Sequence, residues 1–159
     1  MPANPKVFQA LFHHLLHLPH CQWLGIYGDN STDQPVISIP WREELIADKR
    51  TGNLHGGVIT TLIDMASASA LAAQLTDFEN TATLDMRVDY LRRAIKDLPI
   101  HVRAHCYQLK GQIAYIRGHC FQEDEKQPFA LGMTTFMHTP LSITEKQAIY
   151  TYMQKDQAK

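Results

Sequence analysis

Hydrophobic side chains recur along this chain with two different periods, and the change of period marks out its elements. Phe8, Leu11, Phe12, Leu15 and Leu16 follow the i, i+3, i+4, i+7 spacing of an amphipathic helix. Asn4 is its expected cap, Pro5 its first position and Pro19 its stop. Two strand-like pieces follow, at about 22–27 and 36–41, and the turn-rich GDNSTDQP between them predicts a hairpin. The polar segment 42–54 predicts a loop. His55 then opens HGGVITTLIDMASASALAAQLT, an apolar and small-residue run that predicts a long helix beginning near Gly56.

After that run the period becomes two. Over 83–91, Leu84, Met86, Val88 and Tyr90 fall on one face, predicted as core, and Thr83, Asp85, Arg87 and Asp89 on the other, predicted as wet. Further strands are expected at 100–109, 113–121 and 129–137, joined by the hairpin-length segments LKGQ and QEDEKQ. His101, Arg103 and His105 alternate onto one face and read as a polar outer surface. Small residues, among them Ala114, Gly118, Ala130 and Gly132, alternate on two neighbouring strands and would let a helix lie close. Ser142 and Glu145 form a capping box for a final short helix carrying Ala148, Ile149, Tyr152 and Met153.

A long helix with no polar face must be buried on every side. The only other element available is an antiparallel sheet, which has to curl around that helix, so the expected class is α+β. The 159 residues are enough for one domain, 1–159, burying roughly two thirds of its unfolded surface.

Composition narrows the function classes. Fifteen Lys and Arg against sixteen Asp and Glu leave a net charge of -1, and no block of five like charges occurs. Neither nucleic acid nor an anionic membrane is a suggested partner. Polar residues interrupt the apolar run on several faces, so it reads as a core helix rather than a membrane span. Cys21, Cys106 and Cys120 are an odd set without a CxxC pair and read as free thiols in a reducing compartment. No secretory leader pattern is visible at the N-terminus, which makes the cytoplasm the expected location. His13 and His17 stand one helical turn apart, with His14, His20 and Cys21 nearby, but they lack an acidic second shell; no metal and no cofactor are expected.

One charged residue, Asp64, interrupts the apolar run. An unpartnered carboxylate in an apolar helix costs several kcal/mol or shifts its pKa, which makes Asp64 the first catalytic candidate. A structural acid bonded to the hydroxyls of Thr60 or Thr61 is the alternative. The start of the same helix is a natural anion site, because its free N–H groups and dipole favour negative charge and Gly56 and Gly57 leave room for a ligand. Eight residues separate Gly56 from Asp64, roughly 12 Å along a helix axis. If both serve one reaction, they come from different subunits, and a two-fold dimer supplies that pairing twice.

LHGGVITTLID at 54–64 and TLDMRVDYLR at 83–92 together resemble the hotdog-fold acyl-CoA thioesterases, in the branch related to the phenylacetate-pathway enzymes. The resemblance covers about 41–137. It implies a long helix wrapped by a curved antiparallel sheet, an edge-to-edge homodimer with room for a dimer of dimers, and active sites at the subunit interface. It further implies acyl-CoA as substrate, Asp64 as general base or nucleophile, and the Gly56 N–H as donor to the thioester carbonyl. Thr83 falls where a hydroxyl positions the attacking water, and His55 where a histidine orients the helix start. Gly57, Thr60 and Arg92 are the expected substrate contacts. Phe78, Met86 and Tyr90 are candidate pocket walls. Related enzymes often carry an amide six residues before the histidine; here that residue is Lys49, with Asn53 as a candidate substitute. Two other classes remain open on the same fold. One is a non-catalytic acyl-CoA or fatty-acid sensor, and the other a hydratase or dehydratase pairing His55 with an acid.

Overall fold

The computed structural model describes residues 1–32 and 34–156, with side chains throughout except at Tyr150 and 152–156. Helix α1 (Pro5–Leu16) begins where Asn4 accepts a hydrogen bond from the Val7 N–H at 3.4 Å, and it buries Phe8 and Phe12. Pro19 does not merely stop this helix. It opens a second one, α2 (Pro19–Leu24), where a strand was expected. Proline suits a first helical position, and Gly25, at φ 71°, closes the helix in the left-handed conformation that breaks the expected strand. The hairpin survives in shorter form as β1 (Tyr27–Asp29) against β2 (Val36–Ile39). The expected loop holds a 3-10 turn at Glu43–Leu45, which buries Leu45, and a small antiparallel pair, β3 (Ile46–Asp48) with β4 (Asn53–Leu54).

Helix α3 (Gly56–Ala72) is followed by four long strands, β5 (Glu79–Tyr90), β6 (Ile100–Lys110), β7 (Ile113–Phe121) and β8 (Ala130–Pro140). The sheet order is β1-β2-β6-β7-β8-β5, antiparallel throughout. Helix α3 touches β2, β6, β7, β8 and β5. Five strands at about 4.8 Å spacing span roughly 19 Å, wider than a helix, so the sheet curls toward its flanks as the fold class requires. Leu62, Ile63, Ala66 and Leu71 of α3 meet Ile37, Ile100, Val102, Ile116 and Ala130 in one core. The final helix, α4 (Ile143–Asp156), carries the expected capping box, with Glu145 accepting from the Ser142 N–H at 2.8 Å. Tyr152 and Met153 lie outside the residues whose side chains are described.

Close helix packing is explicit at Gly132, where an added Cβ would lie 2.5 Å from Ile63 Cγ2. Gly132→Ala is expected to destabilise the fold by about 1–3 kcal/mol, the usual cost of overpacking a filled core. By circular dichroism the melting temperature should fall by roughly 2–10 °C. An unchanged melt would mean that the Ile63 side chain yields at no cost.

The expected alternation of β5 fails at one point with a large consequence. A β-bulge between Thr83 and Asp85 leaves Leu84 out of the pairing with β8, so Leu84 is 54% exposed instead of buried. One extra residue reverses side-chain polarity along the strand. Thr83 therefore pairs with the buried Phe136 on the helix side, and Met86, beyond the bulge, pairs with Thr134 on that same side. Tyr90, also predicted as core, is 55% exposed at the strand's open end. Cys21, Cys106 and Cys120 are buried and unpaired; burial pushes the Cys120 thiol up to about 12. Among the described residues no helix is long and apolar enough to cross a membrane.

Candidate active site

The start of α3 is built by its own flanking residues. His55 is extended, and its Nδ1 accepts the Gly57 N–H at 3.0 Å, while its own N–H donates to Leu45 O at 2.8 Å. A ring that accepts at Nδ1 carries its proton, when neutral, on Nε2. The Gly57 N–H is thereby committed. That leaves Gly56 as the glycine whose N–H points out of the first turn without an intrahelical acceptor. Its carbonyl accepts from Tyr90 Oη at 3.1 Å and from Thr60 Oγ1 at 3.2 Å. The far end of β5 is thus tied to the helix start. A Cβ at Gly56 would meet Tyr90 Oη at 3.0 Å, and one at Gly57 would meet His55 Nδ1 at 2.9 Å, so close approach accounts for both glycines.

A recess of about 290 Å³ opens beside Gly56, lined among others by Asn53, Ile59, Tyr90, Arg92, Arg93 and Phe129. Asn53 therefore faces this end of the site. Lys49 lies in a different recess with Glu43, Arg50 and Lys96. Arg92 is anchored by a 2.7 Å hydrogen bond to Gln127 O, and its guanidinium stands over the Phe129 ring at 6.0 Å. Phe78 is not a wall of this recess. It is buried in a separate cluster with Val7 and Leu141, because β5 begins at Glu79 and carries residue 78 into the sheet's other end.

Asp64 sits near the middle of the same helix, about two turns beyond Gly56. Thr83 Oγ1 donates to its Oδ1 at 2.7 Å, a contact made possible by the bulge that turned Thr83 inward. The hydroxyls of Thr60 and Thr61 turn back to the carbonyls of Gly56 and Gly57 instead, at 3.2 and 3.0 Å, so they do not hold the carboxylate. Asp64 is half-buried, and among the described residues no cation pairs with it. Next to it, Met65 Sδ accepts from Cys21 Sγ at 3.4 Å, which places α2 against the middle of α3. Burial, and then the Asp64 charge, raise the Cys21 thiol above its ordinary value.

The candidates thus fall into two groups within one chain. Asn53, His55, Gly56, Gly57, Thr60 and Arg92 gather at the helix start, while Asp64 and Thr83 lie about two turns away. The role missed in the sequence is that of Tyr90. The sequence places it on a core face and as a pocket wall, but its hydroxyl fixes the helix start from 34 residues away, and no local pattern signals so distant a bond.

Residues 51–129 match the family model of the thioesterase superfamily. A provisionally described esterase of Halobacterium salinarum is 36% identical over 80 residues, which are 48% of this chain and 53% of that protein. The match thus spans about half the length of this curated relative. Among solved structures, a Pseudomonas aeruginosa protein is 30% identical with a TM-score of 0.74, over 84% of this chain and 99% of its own. The E. coli PaaI protein from the phenylacetic acid degradation operon shares the fold at 16% identity, with a TM-score of 0.73 over 87% of this chain and 96% of its own.

Proposed function

The chain belongs to the hotdog-fold thioesterase superfamily, and on that premise we propose that it hydrolyses an acyl-CoA thioester to the free acid and coenzyme A. The observation that carries this reading is the Asp64 carboxylate, half-buried on an otherwise apolar helix and held at one oxygen by Thr83. The second oxygen is left to act. It takes a proton as water attacks the thioester carbonyl, or it attacks the carbonyl itself to form an anhydride that water then opens. In either case negative charge develops on the carbonyl oxygen, and a backbone N–H at a helix start is suited to receive it. The Gly56 N–H has that position. A thiolate is a good leaving group, so activated water and a stabilised oxyanion are the main requirements. With His55 Nδ1 engaged in capping the helix, Asp64 is the acid–base group of this site.

One subunit keeps its two halves too far apart to serve one carbonyl. Strand β5 lies at the sheet edge, twelve residues long, with Leu84 exposed, and such an edge is a template for pairing with a second copy. Thr83, bonded to Asp64, and Tyr90, bonded to Gly56, lie on either side of Met86 and Arg87. A two-fold axis crossing β5 there sets each Asp64 beside Gly56 of the partner subunit, in a homodimer with two equivalent sites. The recess holding Arg92 and Arg93 would take the anionic coenzyme arm, since guanidinium groups suit phosphate. Thiol release should be followed with purified protein over acetyl-, hexanoyl-, decanoyl- and phenylacetyl-CoA. Turnover of at least one, at kcat/KM of about 10⁴ M⁻¹s⁻¹ or more, is the expected result. Acyl-CoA binding without thiol release would favour a sensor instead.

A further inference from the structure

We propose that a second recess, on the other side of the helix start, receives the acyl arm of the thioester, and that Trp23 is its selectivity-determining wall. This deepens the acyl-CoA hydrolase reading and rests on it. Helix α2 turns Cys21 and Leu24 into the core, which leaves the intervening Trp23 facing outward at 69% exposure. The ring is exposed, but its backbone is clamped. Arg42 Nη2 donates to Trp23 O at 3.1 Å and Leu24 O at 2.8 Å, meeting carbonyls that the end of a helix leaves open, and Gly25 closes the turn.

A lone exposed apolar side chain is ordinary. This one borders a recess of about 210 Å³ that it shares with Leu24, Leu45, Val58 and Thr61 and that reaches His55 and Gly57 at the helix start. The two recesses flanking the helix start differ in charge. The one beside Gly56 holds Arg92 and Arg93, whereas the one beside Gly57 is lined by no Lys or Arg among the described residues and includes Glu44. A thioester held at the Gly56 N–H has one polyanionic arm and one apolar arm. The phosphates are repelled from Glu44 and drawn to the arginines, so the acyl arm falls on the Trp23 side. Size agrees, because complete ligand sites run from about 300 to 1,000 Å³ and this recess fits only part of a ligand, a short to medium acyl chain or an aromatic ring.

Trp23→Ala is expected to raise KM for the preferred longer or aryl acyl-CoA by about tenfold, the discrimination an apolar pocket typically supplies, while acetyl-CoA, too short to reach the ring, keeps its wild-type constants. Trp23→Phe should restore most of the preference. A direct readout is the fluorescence of Trp23 in a chain carrying Asp64→Asn and Trp41→Phe, titrated with the preferred acyl-CoA and separately with coenzyme A. Emission should change with the first and not with the second. An unchanged acyl preference in Trp23→Ala overturns the proposal, as does a variant whose only defect is dissociation of the dimer in sedimentation, which would make Trp23 an interface residue. If the wild type releases thiol from no acyl-CoA, the hydrolase reading fails instead, and the fluorescence titration still decides whether the recess takes an acyl group.

Discussion

Asp64→Asn is expected to lower kcat for acyl-CoA hydrolysis by about 10²- to 10⁴-fold, the range over which a positioned acid–base group acts. The substitution isolates the chemistry from the structure. Asparagine keeps the shape of the carboxylate and an oxygen that can accept the 2.7 Å hydrogen bond from Thr83, so the contact between α3 and β5 persists in weakened form. What is lost is the ability to take a proton or to attack a carbonyl. The bond becomes one between neutral groups, which costs about 1 kcal/mol and moves the melting temperature little. Steady-state thiol release together with a thermal melt separates the two effects. Turnover within threefold of wild type in a folded Asp64→Asn chain would remove Asp64 from the reaction.

Gly56→Pro is expected to cost about 10²- to 10³-fold in kcat, the usual effect of removing one oxyanion donor. Proline is the informative choice because it deletes the N–H at a first helical position, where the fold tolerates it. His55 already has the extended backbone, φ -68° and ψ 129°, that a residue before proline adopts. The added ring atoms meet Tyr90 Oη, which sits 3.0 Å from the Cβ position, so this exposed side chain must shift and its bond to Gly56 O is strained; Gly56→Ala, which makes the same contact but keeps the N–H, separates that effect from loss of the donor. The two variants also test the shared site. A dimer of one Asp64→Asn chain and one Gly56→Pro chain holds one doubly defective site and one that is wholly wild type. Random exchange should therefore restore about a quarter of wild-type turnover, as a two-fold dimer with intersubunit sites requires. Mixtures as inactive as the separate variants would place Asp64 and Gly56 of each site in the same subunit and overturn the intersubunit arrangement.

The elements differ in how far the chain alone revealed them. Helix α1, helix α3, the three strands after β5 and the Ser142–Glu145 cap were all legible, because each rests on a local period or a local hydrogen bond. Helix α2 was not. Its six residues are too few to display a helical period, so 22–27 reads as a strand, and only the left-handed Gly25 of the folded chain breaks that reading. Asp64, His55 and Gly56 stood out from their context in the apolar run. The functional face of Thr83 did not, since strict alternation assigns it to solvent and only the bulge at Leu84 turns it toward Asp64.

By itself the sequence determined which segments could form helices and strands, that one of those helices must be buried, and that a single carboxylate and two glycines interrupt it. These follow from spacing, composition and the cost of burying charge. Only the tertiary structure decided what the carboxylate meets, which glycine N–H stays free, that Tyr90 anchors the helix start, and that β5 is left as an open edge. The bond that occupies the Gly57 N–H is local to His55, two residues away, and forms only once the helix start is in place. The other three depend on a contact between segments distant along the chain or on a one-residue slip in strand register, and a local pattern of hydrophobic and polar residues encodes neither.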